Sequence, residues 1–266
     1  MKNKKRTHIP KLLLLTLVYS LFAVSCGNDP ASSTSEDTPE FPSFEQTQPD
    51  LSYFDNTPQK SEAHLDTENY YMAQSYAVGL SGVLMLGQFY SGFFQGADPN
   101  ESDFRDGSWV WDYTYSEQGV SANILLVATD TGNSIEWTMT MSYDYGDGEA
   151  VEDYTLIEGS VAKDESSGTW TFNSLDASNE EIPALVTTWT QASEDEKEIN
   201  IDIYDETELS GTFNYQENGS EFTLSLSENV EDDITIFWDT DLMIGYLQVG
   251  SERSCWDSDF QSVACE

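Results

Sequence analysis

The chain has 266 residues and a formal net charge of −39, because 49 Asp and Glu residues face only ten Lys and Arg residues. Nucleic acids and anionic lipid headgroups bind proteins through Lys and Arg, so this charge excludes both as partners. His64 is the only histidine after the first 25 residues. A Ser-His-Asp triad or a histidine-based metal site inside a folded domain is therefore excluded. We expect a protein that is not an enzyme and that has no cofactor.

The first predicted element is a secretory leader at residues 1–25. A basic start, MKNKKR, precedes an apolar stretch and small residues that end at Cys26, which is the order of a signal peptide. The run LFAVSCGN resembles the lipobox of bacterial lipoproteins, in which the cysteine carries the lipid and becomes the first residue of the mature chain. The resemblance implies that Cys26 is lipidated and attaches the protein to a bilayer. Because Gly27 and not an aspartate follows the cysteine, the sorting pattern of that family favours the outer membrane.

An ordinary signal peptide with an incidental cysteine stays open as the alternative. Removal of the leader would leave five basic residues against 49 acidic residues, a net charge of −44. Residues 26–63 then predict a disordered tether, because they are rich in Ser, Thr, Pro and acids. Such a composition buries too little apolar surface to offset the entropy of ordering. We therefore expect one β-domain to occupy residues 64–266.

An uncharged stretch, Tyr70–Ala97, predicts a helix over about 66–96. Asp66 or Thr67 offers an N-cap, and Glu68 lies near the positive end of the helix dipole. The stretch is long enough to cross a membrane, but acids flank it on both sides and five glycines interrupt it. We expect the helix to be buried against the concave apolar face of a sheet. A membrane span is the less favoured alternative.

Short runs of alternating apolar and polar residues fill the chain from about 107 to 250. In SIEWTMTMSY, Trp137 and Met139 share one face with Ile135, while Glu and Thr residues share the other, which is typical of a half-buried strand. Turn signals such as DTGN and YGDG separate the runs, and they predict an antiparallel meander of about eleven strands. The fold class is therefore mainly β. So many strands should curl into a barrel, a half-open barrel or a sandwich, with the helix packed on or inside it.

The helix and the aromatic strand faces together predict an apolar interior. A filled interior would make the domain a structural or partner-binding module, which is the interpretation that we rank first. An open interior would hold an acyl chain or another apolar ligand. The residues predicted to line such a site are Tyr76, Leu80, Tyr90, Trp109, Trp111, Trp137, Met139 and Trp170.

Two weak resemblances concern this interior. A curved antiparallel sheet around a helix resembles, in topology only, the periplasmic lipoprotein carriers, which shelter acyl chains. The run DGSW before the first strand resembles the Gly-X-Trp opening of the lipocalins. Neither resemblance assigns a functional residue to this chain.

The C-terminal cysteines and a few acidic turns are the remaining candidate sites. Cys255 and Cys265 predict a disulfide loop over 255–265, because an exported protein meets an oxidising compartment. Two acidic turns, DYGDGE and DTD, offer oxygen ligands for Ca²⁺ without the spacing of an EF-hand loop, so ordinary acidic hairpins are the preferred interpretation. The weak calcium candidates are Asp144, Asp147 and Glu149, with Asp239 and Asp241 in the second turn.

The preferred prediction is a lipid-anchored, non-enzymatic protein of the cell envelope. Its partners would be the bilayer and either another envelope protein or a hydrophobic small molecule. The seven tryptophans leave a surface carbohydrate-binding lipoprotein as the alternative, with Trp256 as the candidate platform. A glycoside hydrolase is less favoured, because so many acids make any carboxylate pair uninformative. A pore-forming barrel is also less favoured, because the chain has a candidate buried helix.

Overall fold

The computed structural model describes residues 38–55, 66–117, 120–144, 150–176, 178–228 and 232–265, with the backbone alone at 81–91, 117 and 120. The predicted leader and the proposed lipidation site at Cys26 lie outside the described residues. So do two of the calcium candidates, Asp147 and Glu149.

One antiparallel sheet of fourteen strands contains most of the described residues, and each strand pairs with its neighbours in sequence. The mainly β fold and the antiparallel meander are therefore confirmed. The first and last strands do not pair with each other, so the sheet is open and a closed barrel is not confirmed. The strands are β1 (Asp103–Arg105), β2 (Ser108–Glu117), β3 (Val120–Asp130), β4 (Ser134–Asp144), β5 (Ala150–Ala162), β6 (Ser167–Leu175), β7 (Glu181–Ser193), β8 (Glu196–Asp205), β9 (Glu208–Asn218), β10 (Glu221–Glu228), β11 (Ile234–Asp239), β12 (Ile244–Val249), β13 (Glu252–Trp256) and β14 (Ser262–Val263).

The strand count differs from the prediction only at the two edges of the sheet. Strands β2 to β12 are eleven in number and lie between Ser108 and Val249, the span in which about eleven were predicted. The additional strands β1, β13 and β14 contain three, five and two residues. Strands β1 and β14 are too short for alternation to reveal, and in β13 the apolar residues Cys255 and Trp256 are adjacent and do not alternate.

Large aromatic side chains lie opposite glycines on the inner face of the sheet. Trp170 pairs with Gly159 of β5, and Trp189 pairs with Gly168 of β6. A Cβ atom on Gly159 would lie 2.2 Å from Cε3 of Trp170, and one on Gly168 would lie 2.1 Å from Cη2 of Trp189. Each indole ring therefore lies directly across the backbone of the neighbouring strand, where only glycine fits.

The helix α1 (Glu68–Phe94) begins where the sequence predicts it. The carbonyl oxygen of Thr67 accepts the first helical hydrogen bond, from the backbone N–H of Tyr71 at 3.1 Å, so Thr67 occupies the N-cap position. The carboxylate of Asp66, one residue earlier, accepts from the backbone N–H of Glu68 at 3.3 Å. The first half of the helix buries one face only, because Val78 is 62% exposed on the other. This half of the helix is therefore packed along one side and is not enclosed. In the part of the chain that the structure describes, no helix is both long enough and apolar enough to span a bilayer.

Residues 38–55, which we call the strap, are packed, and this corrects part of the predicted tether. The strap belongs to the same compact unit as the sheet, Thr38–Glu266. It forms two 3-10 helices, Phe44–Thr47 and Ser52–Asp55. The side chains of Phe44, Tyr53 and Phe54 are at most 5% exposed and belong to the hydrophobic core. Burial of these aromatics offsets the entropy of ordering that the polar composition alone could not.

Candidate functional site

The residues predicted to line an apolar site lie largely in one hydrophobic core on the inner face of the sheet. Strands β2, β4 and β6 supply the aromatic wall, and α1 adds Leu80, which is buried, and Tyr76, which is half-buried against the same core. The side chain of Tyr90 is outside the described residues. The wall residues are all at most 3% exposed: Trp109, Trp111, Trp137, Met139 and Trp170.

The strap covers this aromatic wall. The ring of Phe41 lies 5.2 Å from that of Trp111 and 6.2 Å from that of Trp137, measured between ring centroids. The ring of Phe44 lies 5.3 Å from that of Trp170. The interior at these positions is therefore filled by the chain itself. Sequence reasoning missed both phenylalanines, although the aromatic residues of FPSFEQTQPDLSYFD were a visible signal.

A second cluster joins the end of the strap to α1 and β13. The indole N–H of Trp256 donates to the hydroxyl oxygen of Tyr53 at 2.8 Å, and the hydroxyl of Tyr70 donates to the carbonyl oxygen of Tyr53 at 3.2 Å. Burial raises the pKa of Tyr53 to about 12, against the lowering effect of the hydrogen bond from Trp256. The prediction of Trp256 as an exposed sugar platform is wrong, because its side chain is only 2% exposed.

Lys197 fastens the middle of the strap to the sheet. Its Nζ donates to the carbonyl oxygen of Gln48 at 2.8 Å, and the backbone N–H of Asp50 donates to the hydroxyl of Tyr215 at 3.2 Å. Burial lowers the pKa of Lys197, while the nearby charges of Glu217 and Asp50 act in the opposite direction. A cleft of about 240 Å³ opens beside this contact. Its lining is mostly polar and consists of Thr190, Ala192, Glu196, Lys197, Glu198, Gln216, Glu217 and Asn218.

In the part of the chain that the structure describes, two buried indole groups of the aromatic wall have no hydrogen-bond partner, namely Nε1 of Trp111 and Nε1 of Trp170. Other buried tryptophans do have one, since Trp189 donates to the carbonyl oxygen of Glu165 at 3.2 Å. Leaving a buried donor unsatisfied costs roughly 1–3 kcal/mol. Most of the surface of the wall is therefore apolar, but it contains two N–H groups that donate no hydrogen bond to a described residue.

Relatives were sought by sequence and by structure. No family model, curated protein or solved structure matches this chain. The functional interpretation therefore rests on contacts within the chain.

The calcium candidates do not come together as a site in the described residues. Asp144 is exposed at the end of β4. The side chain of Asp239 accepts hydrogen bonds from the backbone N–H groups of Asp241 and Leu242, at 2.8 and 2.9 Å, so it caps a turn. Across the described ranges, no group of three or more His, Cys, Asp or Glu residues could hold a metal ion.

The structure places the two C-terminal cysteines at disulfide distance. The sulfurs of Cys255 and Cys265 are 2.04 Å apart. The side-chain amide of Asn69 donates to the carbonyl oxygen of Cys255 at 2.8 Å, and the hydroxyl of Ser262 donates to Asp66 at 3.0 Å. The disulfide loop is thus tied to the first turn of α1, which supports a structural role for it.

One row of residues across the outer face of the sheet is polar but carries few charges. One cross-strand row runs from β2 to β13 and contains one acid and one base among twelve residues, the other ten being Ser, Thr, Asn or Gln. In the adjacent row, the rings of Phe237 and Tyr246 stack at 5.4 Å and the guanidinium of Arg253 lies 4.1 Å from the Tyr246 ring. The members of the polar row are Ser108, Thr129, Glu136, Ser160, Thr169, Thr188, Asn200, Asn214, Ser225, Thr235, Gln248 and Arg253.

Proposed function

We propose that this protein is a lipid-anchored, non-enzymatic component of the bacterial outer membrane, with a β-domain that acts as a structural or partner-binding module. The leader and the lipobox at Cys26 support the location. The observation that carries the module interpretation is the filled interior, because Phe41 and Phe44 of the strap occupy the wall that a ligand carrier would leave open. Interaction would then use the outer surface and the rims of the sheet.

We further propose that the open sheet is curved into a half-barrel around the strap and α1. Fourteen strands at a spacing of about 4.8 Å would be roughly 60 Å wide if the sheet were flat. Open sheets with more than about ten strands usually curl. The strap contacts the inner face of the sheet at both Trp111 of β2 and Trp238 of β11, through Phe41 and Phe54, which supports a concave inner face.

Metabolic labelling with an alkyne fatty acid tests the anchor. The wild-type protein should incorporate the label and sediment with outer-membrane vesicles. The matched variant Cys26→Ala should lose the label, and with it the membrane fraction. A wild-type chain that is unlabelled and soluble after export would overturn the proposed location.

A second candidate function is binding of a neutral glycan on the outer face. The row of hydroxyl and amide groups beside the stacked pair of Phe237 and Tyr246 favours it, because sugars combine such hydrogen bonds with contacts to aromatic rings. A glycan array tests this candidate. The candidate is supported if binding of the protein to a glycan falls at least tenfold in Tyr246→Ala. The control Phe104→Ala, on the edge strand, should bind as the wild-type protein does.

A further inference from the structure

We propose that residues 38–47, the first part of the strap, form a displaceable plug over a binding site for an uncharged acyl ester. The site is the aromatic wall of Trp111, Trp137 and Trp170, together with Phe94 of α1. This inference goes beyond the module function and does not depend on the lipid anchor.

The two unused indole donors are the first argument for a ligand. Trp111 and Trp170 are at most 2% exposed, and among the described residues their Nε1 atoms have no hydrogen-bond partner. The plug places the phenyl rings of Phe41 and Phe44 against these indoles. A phenyl ring fills volume but offers no lone pair to a buried N–H group. The phenyl rings of the plug therefore leave both donors without an acceptor, and a ligand that carries an acceptor would supply one.

The uneven attachment of the strap is the second argument. Its later part is fastened by hydrogen bonds at Gln48, Asp50, Tyr53 and Phe54, with partners on the sheet or on α1. In the described residues, the plug has one hydrogen bond to an element outside the strap, between the hydroxyls of Thr38 and Ser102, and it is long at 3.3 Å. Within the strap, the backbone N–H of Gln48 donates to the carbonyl oxygen of Glu45 at 3.1 Å. The plug can therefore leave the wall while the later part of the strap stays in place.

The charge of the protein selects the ligand chemistry. With a net charge of −39, entry of a carboxylate or a phosphate into this interior is opposed by repulsion and by desolvation. The aromatic wall requires an apolar chain, and the indole donors require an uncharged acceptor. An ester carbonyl on an acyl chain meets both requirements.

A disulfide lock across the weak contact tests displacement of the plug. The double variant Thr38→Cys/Ser102→Cys replaces two hydroxyls that are 3.3 Å apart, so the sulfurs can bond after small shifts. The full chain is placed in phosphatidylcholine vesicles that contain methyl 9,10-dibromostearate, whose bromines quench tryptophan fluorescence. The reduced variant should show saturable quenching, and the oxidised variant should need at least tenfold more ester.

The wild-type chain under the same redox conditions is the control, because the reductant also opens the bond between Cys255 and Cys265. Equal quenching of the oxidised and reduced double variant would overturn the plug. Flotation of the chain with the vesicles reports the lipid anchor separately. A chain that binds the ester but does not float would contradict the proposed location and leave the site supported.

Replacement of one indole N–H by sulfur tests the ligand class. Benzothienylalanine at position 111 or 170 keeps the ring shape and removes the donor, while the other tryptophans report quenching. Affinity for the ester should fall about fivefold, the effect of one neutral hydrogen bond. Affinity for 9,10-dibromooctadecane, which has no acceptor, should not change. An equal loss for both probes would show that the donors do not select an ester.

Discussion

Truncation of Phe44 to alanine tests the packed strap directly. If residues 38–55 were a tether, Phe44→Ala would leave the free energy of unfolding unchanged. In the structure the Phe44 side chain is only 5% exposed, and its ring centroid lies 5.3 Å from Trp170, 5.6 Å from Phe94 and 6.4 Å from Phe172. The variant therefore removes a ring from the centre of an aromatic cluster.

The size of the effect follows from this burial. Removal of a fully buried phenylalanine side chain costs about 3–5 kcal/mol, which combines lost transfer free energy with the cavity that remains. The strap can partly collapse into the gap, so we expect about 3–4 kcal/mol for Phe44→Ala. In a domain of this size, each kcal/mol lowers the melting temperature by about 2–4 °C.

Urea unfolding followed by tryptophan fluorescence measures this loss, and Phe104→Ala is the matched control. Phe104 lies on the edge strand β1 and is 51% exposed, so its truncation should cost about 1 kcal/mol, in proportion to the smaller buried area. A shift of the Phe44→Ala midpoint no larger than that of Phe104→Ala would refute the packed strap and restore the tether.

Three further predictions concern the sheet, the tyrosines and the disulfide. Gly168→Ala should lower the free energy of unfolding by about 1–3 kcal/mol in urea titrations, since its Cβ would lie 2.1 Å from the facing indole. Gly79→Ala is the control: its Cβ would have no other atom within 4 Å, so the variant should raise the free energy of unfolding by about 0.5–1 kcal/mol. Burial raises the pKa of Tyr53 from 10.0 to about 12, so the stability that Tyr53 contributes should be constant below about pH 10 and should fall between pH 10 and 12, where only the unfolded state ionises. Alkaline urea titrations that show no fall in the free energy of unfolding would contradict this. Reduction of the Cys255–Cys265 bond, whose cysteines are ten residues apart, should lower the free energy of unfolding by about 2–3 kcal/mol. Calorimetry with and without reductant measures this loss, and a clearly smaller loss would contradict the prediction.

The sheet was predictable because its signals are local. Alternation in SIEWTMTMSY placed Trp137 and Met139 on one face, and both are buried in β4. Short turns between runs left no room for crossovers, so neighbouring strands had to pair. The start of α1 was equally predictable, since Thr67, one of the two expected N-cap residues, directly precedes Glu68 and accepts the first helical hydrogen bond.

The strap was not predictable from composition, because its stability comes from distant residues. Phe41 and Phe44 are three residues apart with a proline and a serine between them, and two positions are too few to establish a helix or a strand period. Their burial depends on Trp111 and Trp170, which are at least 70 residues further along the chain, at β2 and β6. The two indole donors were equally unpredictable, because no sequence pattern shows whether a buried tryptophan N–H finds an acceptor.

The packed strap also determines where mechanical load would enter the domain. With a lipid at Cys26, as proposed, twelve peptide units separate the membrane attachment from Thr38, a span of at most about 43 Å when fully extended. Beyond that distance, tension would act on Phe41 and Phe44 beneath the sheet and not on an edge strand. The packing of the two phenyl rings against the aromatic wall would then resist the tension first. The hydrogen bond of Lys197 to Gln48 would resist it next. The chain would yield in two stages, first at the plug and then at the Lys197 contact.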